Sequence, residues 1–217
     1  MLNLIKTAWQ EYNDRVLNIE TGGQAQGRAV TSDPRRPWYL AAPSSGAKHD
    51  DGTAYQSPDY WYVYRIARLL EPTPQDVFYD LGSGKGRILC VMARRRLKRC
   101  IGIELFDSLC EVARANANRL RGRETSIEIR CEDAARANLA DGTIYFMFNP
   151  FGAETMSDVL DNIEASLQEN PRTITIVYHN AYLDALLEER SWLQKCYSFS
   201  TRNGAVVSFW KSRPAID

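Results

Sequence analysis

The sequence predicts one α/β domain built on a seven-stranded, mostly parallel sheet, with an antiparallel C-terminal hairpin and an N-terminal helical cap. Three observations predict this fold. Apolar strand-like segments alternate with helix-like segments between residues 76 and 190, and this alternation is typical of a parallel sheet covered by helices. A buried strand over 76–81 ends in three closely spaced glycines that lead into a helix. Near the end of the chain, Asn203-Gly204 separates two short strands, and this dipeptide is a strong hairpin signal.

The composition is that of an ordinary globular domain. The 217 residues are 44% hydrophobic and 25% charged, and the formal net charge is zero, which disfavours a broadly basic nucleic-acid-binding protein. The chain has no signal-peptide-like run and no apolar segment of about 18 residues, so we expect no membrane association. The five cysteines include no CxxC pair and are typical of reduced thiols. We therefore expect a cytoplasmic protein.

Histidines are few in this sequence, and the possible metal ligands have no metal-site spacing. The two histidines, His49 and His179, lie far apart. A zinc site requires several His, Cys or acidic ligands at characteristic spacing, and no such spacing occurs. We therefore predict no metal site.

The N-terminal quarter divides into a helix and an irregular segment. Apolar residues at helical spacing predict an amphipathic helix over 2–19. Residues 22–56 have no clear periodicity, and a segment this long is usually a lid, a binding loop or a disordered linker. Both the lid and the linker interpretation stay open. We accordingly divide the chain into an N-terminal helix and lid segment, 1–56, and an α/β domain, 57–217.

The α/β domain begins with a helix and continues as a regular alternation. Ser57 and Pro58 predict the helix start, with Ser57 as the N-cap. The pattern then predicts strands over 76–81, 99–104, 126–131, 144–148, 173–178, 193–200 and 204–211, and helices over 86–96, 107–120, 155–168 and 181–190.

The glycine turn after the first strand indicates the charge of its ligand. Gly82, Gly84 and Gly86 have GxGxG spacing, which differs from the GxGxxG of dinucleotide-binding turns. Asp80 lies two residues before the first glycine, where its carboxylate would repel a pyrophosphate and attract a cation. Glycines leave room for the ligand to approach the backbone. The turn therefore favours an uncharged or cationic ligand.

Polar residues also follow the next three strands. Glu104 is positioned to accept both hydroxyls of a ribose, and Asp133, with Glu132 as a competitor, to accept an exocyclic amine. Asn149 offers an oxygen to an incoming N–H group, and Phe151 offers an apolar wall. Each residue taken alone also has a simpler interpretation as a helix cap, a turn residue or a solvent-exposed loop acid. Their order after a glycine turn indicates a nucleoside site.

Four segments at successive strand ends match a known family in their order. They are VFYDLGSGKGR (77–87), GIEL (102–105), CEDA (131–134) and FMFNPFG (146–152). Together they resemble the class I S-adenosylmethionine-dependent methyltransferases, which have a Rossmann-like seven-stranded sheet. The resemblance covers about residues 57–211.

This resemblance implies S-adenosylmethionine as the cofactor. The implied cofactor-binding residues are Asp80, Gly82, Ser83 and Gly84 around the methionine part, Gly86 in the same turn, Glu104 at the ribose, Asp133 at the adenine, and Asn149 and Phe151 at the fourth strand end. The DLGSG form is similar to that of some protein-lysine methyltransferases. The NPF tip resembles the (D/N)PP(Y/F) motif of amino-group methyltransferases but lacks its second proline.

The implied function is methyl transfer to a small molecule or a protein side chain, with a nitrogen acceptor preferred. Because the sulfonium is already activated, the protein mainly supplies positioning and desolvation, and the reaction needs no metal. Our candidate catalytic residues are Asn149, Tyr55 and Tyr178. His179 is a further general-base candidate, and both Tyr178 and His179 equally fit packing at the end of a strand.

Two alternative functions stay open. Enzymes of this fold also transfer or cyclise the aminocarboxypropyl arm and release methylthioadenosine, and an aromatic cage that includes Tyr55 would suit that reaction. The second alternative is a non-catalytic S-adenosylmethionine-binding protein. A nicotinamide-dependent dehydrogenase is disfavoured by Asp80 and the glycine spacing. The sequence does not indicate an oligomeric state.

Overall fold

The computed structural model describes residues 2–22 and 46–213 of the chain. In these ranges the helices are α1 (Leu2–Leu17), α2 (Tyr60–Leu70), α3 (Arg87–Met92), α4 (Asp107–Arg119), α5 (Ala153–Glu169) and α6 (Asp184–Glu188). The strands are β1 (Val77–Leu81), β2 (Arg99–Glu104), β3 (Ile127–Cys131), β4 (Ile144–Phe148), β5 (Thr175–His179), β6 (Leu193–Ser200) and β7 (Val206–Ser212).

All seven strands form one sheet, in the order β3-β2-β1-β4-β5-β7-β6. The first five strands pair in parallel, and β7 is antiparallel to both β5 and β6. The predicted seven-stranded, mostly parallel sheet is therefore confirmed. The strand order reverses between β1 and β4, and ligands bind at such switch points because the connecting loops diverge there.

The core lies on both faces of the sheet, because successive strand residues point to opposite sides. On one face, Phe78 packs in a cluster that includes Tyr60 of α2 and Leu89 of α3. On the other face, Tyr79 packs in a cluster that includes Ile163 of α5. β1 is buried along its whole length. Its carboxyl end is thus held rigidly where the glycine turn begins.

The start of α2 and the end of α3 differ from the prediction, each because of specific hydrogen bonds. α2 begins at Tyr60, because the side chain of Asp59 rather than that of Ser57 forms the N-cap and accepts the Trp61 N–H. α3 ends early, and the carbonyl of Ala93 accepts the N–H groups of Glu124 and Thr125 from the loop before β3. A long-range contact therefore replaces the last turn predicted for this helix.

The predicted N-terminal helix is confirmed as α1, but its apolar stripe faces solvent. Ile5, Trp9 and Tyr12 are exposed, whereas Asn13 and Leu17 face the domain. Polar contacts, rather than the aromatic stripe, therefore attach most of this helix to the domain. Among the described residues, no helix is long and apolar enough to cross a membrane. The cytoplasmic location stays a prediction.

The predicted lid segment, 22–56, is described only at its ends. Its residues 23–45 lie outside the described part of the chain, and residues 46–56 run across the carboxyl ends of the strands. Gly52 forms an antiparallel bridge with Phe151, and the Thr53 N–H donates to the Pro150 carbonyl over 2.9 Å. The division at residue 56 and the lid function stay predictions.

Candidate active site

The glycine turn after β1 has a backbone conformation that is strained for any residue other than glycine. Gly82, Gly84 and Gly86 have φ angles of 78°, 54° and 79°, in the left-handed region where a Cβ is unfavourable. A Cβ on Gly82 would overlap the ring of Pro150, and one on Gly84 would overlap the ring of Tyr55. The turn thus needs glycine both for its backbone and for the close approach of its neighbours.

Gly82→Ala is expected to destabilise the protein more than Gly204→Ala. Both positions have positive φ, at 78° and 83°, so both variants bear a strain of about 1–2 kcal/mol. Among the described residues, Pro150 is a rigid neighbour of Gly82, whereas none lies within 4 Å of a Cβ on Gly204. The overlap with Pro150 is expected to add about 1–3 kcal/mol. Urea unfolding of both variants checks this, and equal losses would contradict the proposed overlap.

Two buried carboxylates lie beside this turn. Asp80, on β1, is 3% exposed, and Glu104, at the end of β2, is 1% exposed. Burial, and secondarily the charge of Glu104, raises the pKa of Asp80 well above its usual value. Glu104 is held by backbone donors, since its Oε2 accepts the Gly84 N–H over 2.8 Å and its Oε1 accepts the Phe106 N–H over 3.0 Å. The turn therefore lies in a field that favours a cation.

Ser83 and Asp133 differ in how their polar groups are used. The Ser83 hydroxyl is buried without a hydrogen-bond partner among the described residues, and it lies against Gly102 of β2. Asp133 is already engaged, because its carboxylate accepts the N–H groups of Lys48 over 2.6 Å and Ala135 over 2.9 Å. Lys48 thus places a backbone donor where we expect an adenine amine to bind.

The crevice between the strand ends is small in this conformation. A cavity of about 40 Å³ is bordered by Gly82, Glu104, Asp133 and Phe151, whereas ligand pockets typically measure about 300 Å³ or more. Residues 46–53 cover this crevice, and Asp51 anchors them to α5. The Asp51 carboxylate accepts hydrogen bonds from the backbone N–H of Thr155 over 3.0 Å and from the Thr155 hydroxyl over 2.6 Å. Entry of a nucleoside therefore requires displacement of residues 46–53.

The fourth strand end is held by the same segment. Asn149 has a φ of 44°, and its carbonyl accepts the Thr53 hydroxyl over 2.5 Å. Phe151 is buried in the α5 side of the core and also borders the small crevice. Asn149 is half-buried. Its left-handed backbone turns the chain sharply away from the end of β4.

Tyr55 and Tyr178, the two tyrosines with predicted catalytic roles, lie in different environments. The Tyr55 ring covers Gly84, and its hydroxyl donates to the Thr21 carbonyl over 2.9 Å. Burial raises the pKa of Tyr55 to about 12, so it stays protonated at neutral pH. Tyr178 is fully buried in the core cluster that contains Leu187 of α6. The catalytic roles of both tyrosines stay predictions.

A second cavity, here called the β4–β5 cavity, opens beside the ends of these two strands. Its volume is about 510 Å³. The border residues are Lys6, Gln56, Ser57, Asp59, Tyr62, Phe148, His179, Asn180, Ala181, Tyr182, Asn203, Gly204, Ala205 and Val206. Sequence reasoning missed Asp59 and Tyr62, because only the docking of α2 brings them to this edge.

His179 forms part of the wall of the β4–β5 cavity. Its ring lies between those of Phe148 and Tyr62, at centroid distances of 4.6 Å and 5.8 Å. Burial lowers its pKa to about 4, so the imidazole is neutral at neutral pH. Asn180, directly after it, has a φ of 62°. Both strand ends at this cavity therefore turn through a left-handed asparagine, which tolerates that conformation better than most residues.

Within the described ranges, no group of three or more His, Cys, Asp or Glu residues is arranged to hold a metal ion. The polar groups at the strand ends instead form a carboxylate-rich edge beside the glycine turn. Such an edge suits recognition of a cationic nucleoside through hydrogen bonds and charge.

Sequence comparisons match the part of the chain that contains this turn. The family model described as histone methylation protein DOT1 matches residues 54–134. A protein-lysine N-methyltransferase of Saccharolobus islandicus (strain REY15A) is 28% identical over 89 residues, covering 40% of this chain and 53% of the relative. The match therefore spans about half the length of this curated relative.

Solved structures match a larger part of the chain. An RNA methyltransferase from Salinibacter ruber in complex with S-adenosyl-L-homocysteine has a TM-score of 0.54 and 23% identity, covering 75% of this chain and 96% of its own. A magnesium protoporphyrin IX methyltransferase from Synechocystis PCC 6803 with bound SAM has a TM-score of 0.55 and 12% identity, covering 71% of this chain and 79% of its own. With the sheet order and the glycine turn, these matches confirm the expected resemblance: the chain has the fold of the class I S-adenosylmethionine-dependent methyltransferases.

Proposed function

We infer that the protein uses S-adenosylmethionine to methylate an amine, and that the amine is a lysine side chain of a protein. The observation that carries this inference is the buried pair of carboxylates, Asp80 and Glu104, beside the glycine turn. A buried negative charge is costly unless a cation offsets it. S-adenosylmethionine carries a sulfonium and an ammonium group, whereas the pyrophosphate of a dinucleotide would be repelled.

Each sequence-predicted residue has a role in this proposal. Asp80 attracts the cationic methionine part, and the bare backbone at Gly82 and Gly84 lets it approach. Glu104 accepts the ribose hydroxyls, and Asp133 accepts the adenine amine once Lys48 withdraws its N–H. Three further residues complete the proposed site. The unpartnered hydroxyl of Ser83 is available as a hydrogen-bond donor. Gly86 completes the turn, and Phe151 borders the adenine side.

Methyl transfer requires the protein to position the methyl donor and the amine, and it does not require a strong acid or base. S-adenosylmethionine supplies a methyl group on an activated sulfur. An amine lone pair forms the new N–C bond as the S–C bond breaks, and a proton passes from the amine to water. The rigid ends of β1 and β4 hold donor and acceptor sites in register, which is the main source of rate enhancement for such a displacement. Asn149, at the end of β4, is our candidate for orienting the amine through its side-chain oxygen.

Two sequence similarities support lysine as the acceptor, and they are weaker than the support for the cofactor. The curated relative is named a protein-lysine N-methyltransferase, and the matching family model is described as a histone methylation protein. A small-molecule amine stays the second candidate acceptor, because the NPF tip resembles amino-group methyltransferases in general.

Incubation of the protein with S-adenosylmethionine and a lysine-rich protein substrate is expected to yield S-adenosylhomocysteine and N-methyl-lysine in equal amounts. Mass spectrometry of the nucleoside fraction and of the digested acceptor measures both products. A matched reaction with the same acceptor after acetylation of its lysines is expected to yield neither product, because the nitrogen lone pair of an acetylated lysine is delocalised into the carbonyl and is a poor nucleophile.

The identity of the nucleoside product separates the alternative functions. Methylthioadenosine in place of S-adenosylhomocysteine would overturn methyl transfer in favour of aminocarboxypropyl chemistry. Binding of S-adenosylmethionine by calorimetry, with no product from protein or small-molecule amines, would instead indicate a non-catalytic binding protein.

A further inference from the structure

The β4–β5 cavity already has a lysine side chain at its edge. Lys6, on α1, borders this cavity together with Phe148 and His179. Its Nζ lies 3.6 Å from Oδ2 of Asp59, and its side chain is 64% exposed. An ion pair this exposed contributes little free energy. The long Lys6 side chain can therefore exchange rotamers at the cavity edge at little cost.

The position of the cavity relative to the glycine turn suits an acceptor amine. β4 pairs with β1 on one side and with β5 on the other, so the cavity at the ends of β4 and β5 adjoins the turn that follows β1. Gln56 and Ser57 border the cavity, and the preceding residue, Tyr55, covers Gly84 of the turn. Residues 55–57 thus reach from the turn to the cavity.

The neighbouring lysines are less suited to enter the cavity. Lys85 is buried, and its Nζ donates to the Gly22 carbonyl over 2.7 Å. Lys48 has its Nζ 2.9 Å from Asp158 of α5, on the side of the small crevice. Lys98 is exposed and precedes β2 at the opposite end of the sheet. Among the described lysines, Lys6 alone borders the β4–β5 cavity.

We propose that Lys6 is methylated by its own chain, with the β4–β5 cavity as the site that receives the amine. This inference rests on the proposed function. The Lys6 ammonium first loses a proton to water, and its lone pair then takes the methyl group from S-adenosylmethionine, leaving S-adenosylhomocysteine and N-methyl-lysine. The rings of Phe148, Tyr62 and His179 border the cavity and form an aromatic wall that favours a methylated amine once the Lys6 side chain enters. Because Lys6 is tethered, its effective concentration at the cavity is about millimolar.

Peptide mapping by mass spectrometry after incubation with S-adenosylmethionine alone tests this proposal. We expect methyl incorporation at Lys6 and none at Lys98, and the incorporation is expected to be lost in Lys6→Arg, which keeps the charge beside Asp59. The initial rate per molecule is expected to stay constant over about a tenfold range of protein concentration, because the reaction is intramolecular.

A mixing experiment separates reaction within a chain from reaction between chains. Isotope-labelled chains carrying Asp80→Asn are mixed with unlabelled wild-type chains, and the labelled Lys6 is expected to stay unmodified. Methylation of Lys6 to the same extent in labelled and unlabelled chains would overturn the proposal. Methylation found only at another lysine would also overturn it. If an added lysine peptide is methylated while Lys6 is not, the self-methylation proposal fails alone. If neither is methylated, the proposed function fails and this inference fails with it.

Discussion

Asp80→Asn is expected to weaken S-adenosylmethionine binding at least about 30-fold and, at the same time, to stabilise the ligand-free protein. The loss follows from the ~2 kcal/mol or more that truncating one partner of a buried charge pair costs. The gain follows from the burial of Asp80, which makes its ionised form unfavourable in the folded state. Calorimetry measures the first effect, and thermal unfolding without ligand measures the second.

The pH dependence of the second effect has a defined sign. Because the folded-state pKa of Asp80 is raised, the wild-type protein loses stability as the pH rises from about 4, where the unfolded chain ionises, towards that raised pKa. The stability difference between wild type and Asp80→Asn is therefore expected to be larger at neutral pH than at acid pH.

A matched control is Asp161→Asn, because the Asp161 side chain is 57% exposed and pairs with Arg190 at the surface. Neither binding nor stability is expected to change appreciably in this variant. An unchanged affinity in Asp80→Asn would remove Asp80 from the cofactor site. A lower thermal stability of Asp80→Asn than of the wild type would show that other groups stabilise the Asp80 carboxylate in the folded protein.

Arg87→Met is expected to lower the free energy of unfolding by about 3 kcal/mol or more, the range for removing one partner of a buried charged network. Arg87 is 5% exposed. Its Nε donates to the Thr21 hydroxyl over 2.7 Å, and its Nη1 donates to Gln10 over 2.8 Å and to the Pro58 carbonyl over 2.7 Å. Its guanidinium also lies 4.5 Å from the Tyr60 ring centroid. Met keeps the apolar stem and removes every one of these contacts.

The hydrogen bonds of Arg87 join α1 to α3. The loss of stability in Arg87→Met is therefore expected to affect the docking of α1 as well as global unfolding. Urea unfolding measures the global effect, and faster proteolytic cleavage within α1 reports the local release. Arg96→Met serves as the control, because the Arg96 side chain is 81% exposed and its ion pair with Glu124 lies at the surface. A loss below about 1 kcal/mol in Arg87→Met would mean that α1 is attached by its apolar contacts instead.

Much of the fold follows from local patterns. The strand that ends at Leu81, the three glycines and the helix after them are specified by adjacent residues, and the structure has each of them. The Asn203-Gly204 turn likewise lies between β6 and β7, with Gly204 at a φ of 83°. Periodicity and turn chemistry act over a few residues, which is why these elements could be predicted.

The arrangement around the site depends on contacts between distant parts of the chain. Lys48 donates to Asp133, and Asp51 caps the N–H of Thr155. The aromatic stripe of α1 has helical spacing, but its exposure could not be read from that spacing, because polar contacts through Arg87 decide which side of the helix docks. Likewise Lys6 and His179 share a cavity although 172 intervening residues separate them in the printed sequence.

The sequence by itself determined a glycine turn preceded by Asp80 and followed by polar strand ends, and it predicted a parallel sheet with a site for a cationic nucleoside. It did so because backbone conformation and charge at each strand end depend on neighbouring residues. Only the tertiary structure decided that residues 46–53 cover this site, that the β4–β5 cavity lies beside it, and that Lys6 lies at the cavity edge. These features depend on how α1 and α2 dock against the sheet, where burial of Arg87 and Tyr60 outweighs the local amphipathic pattern of α1.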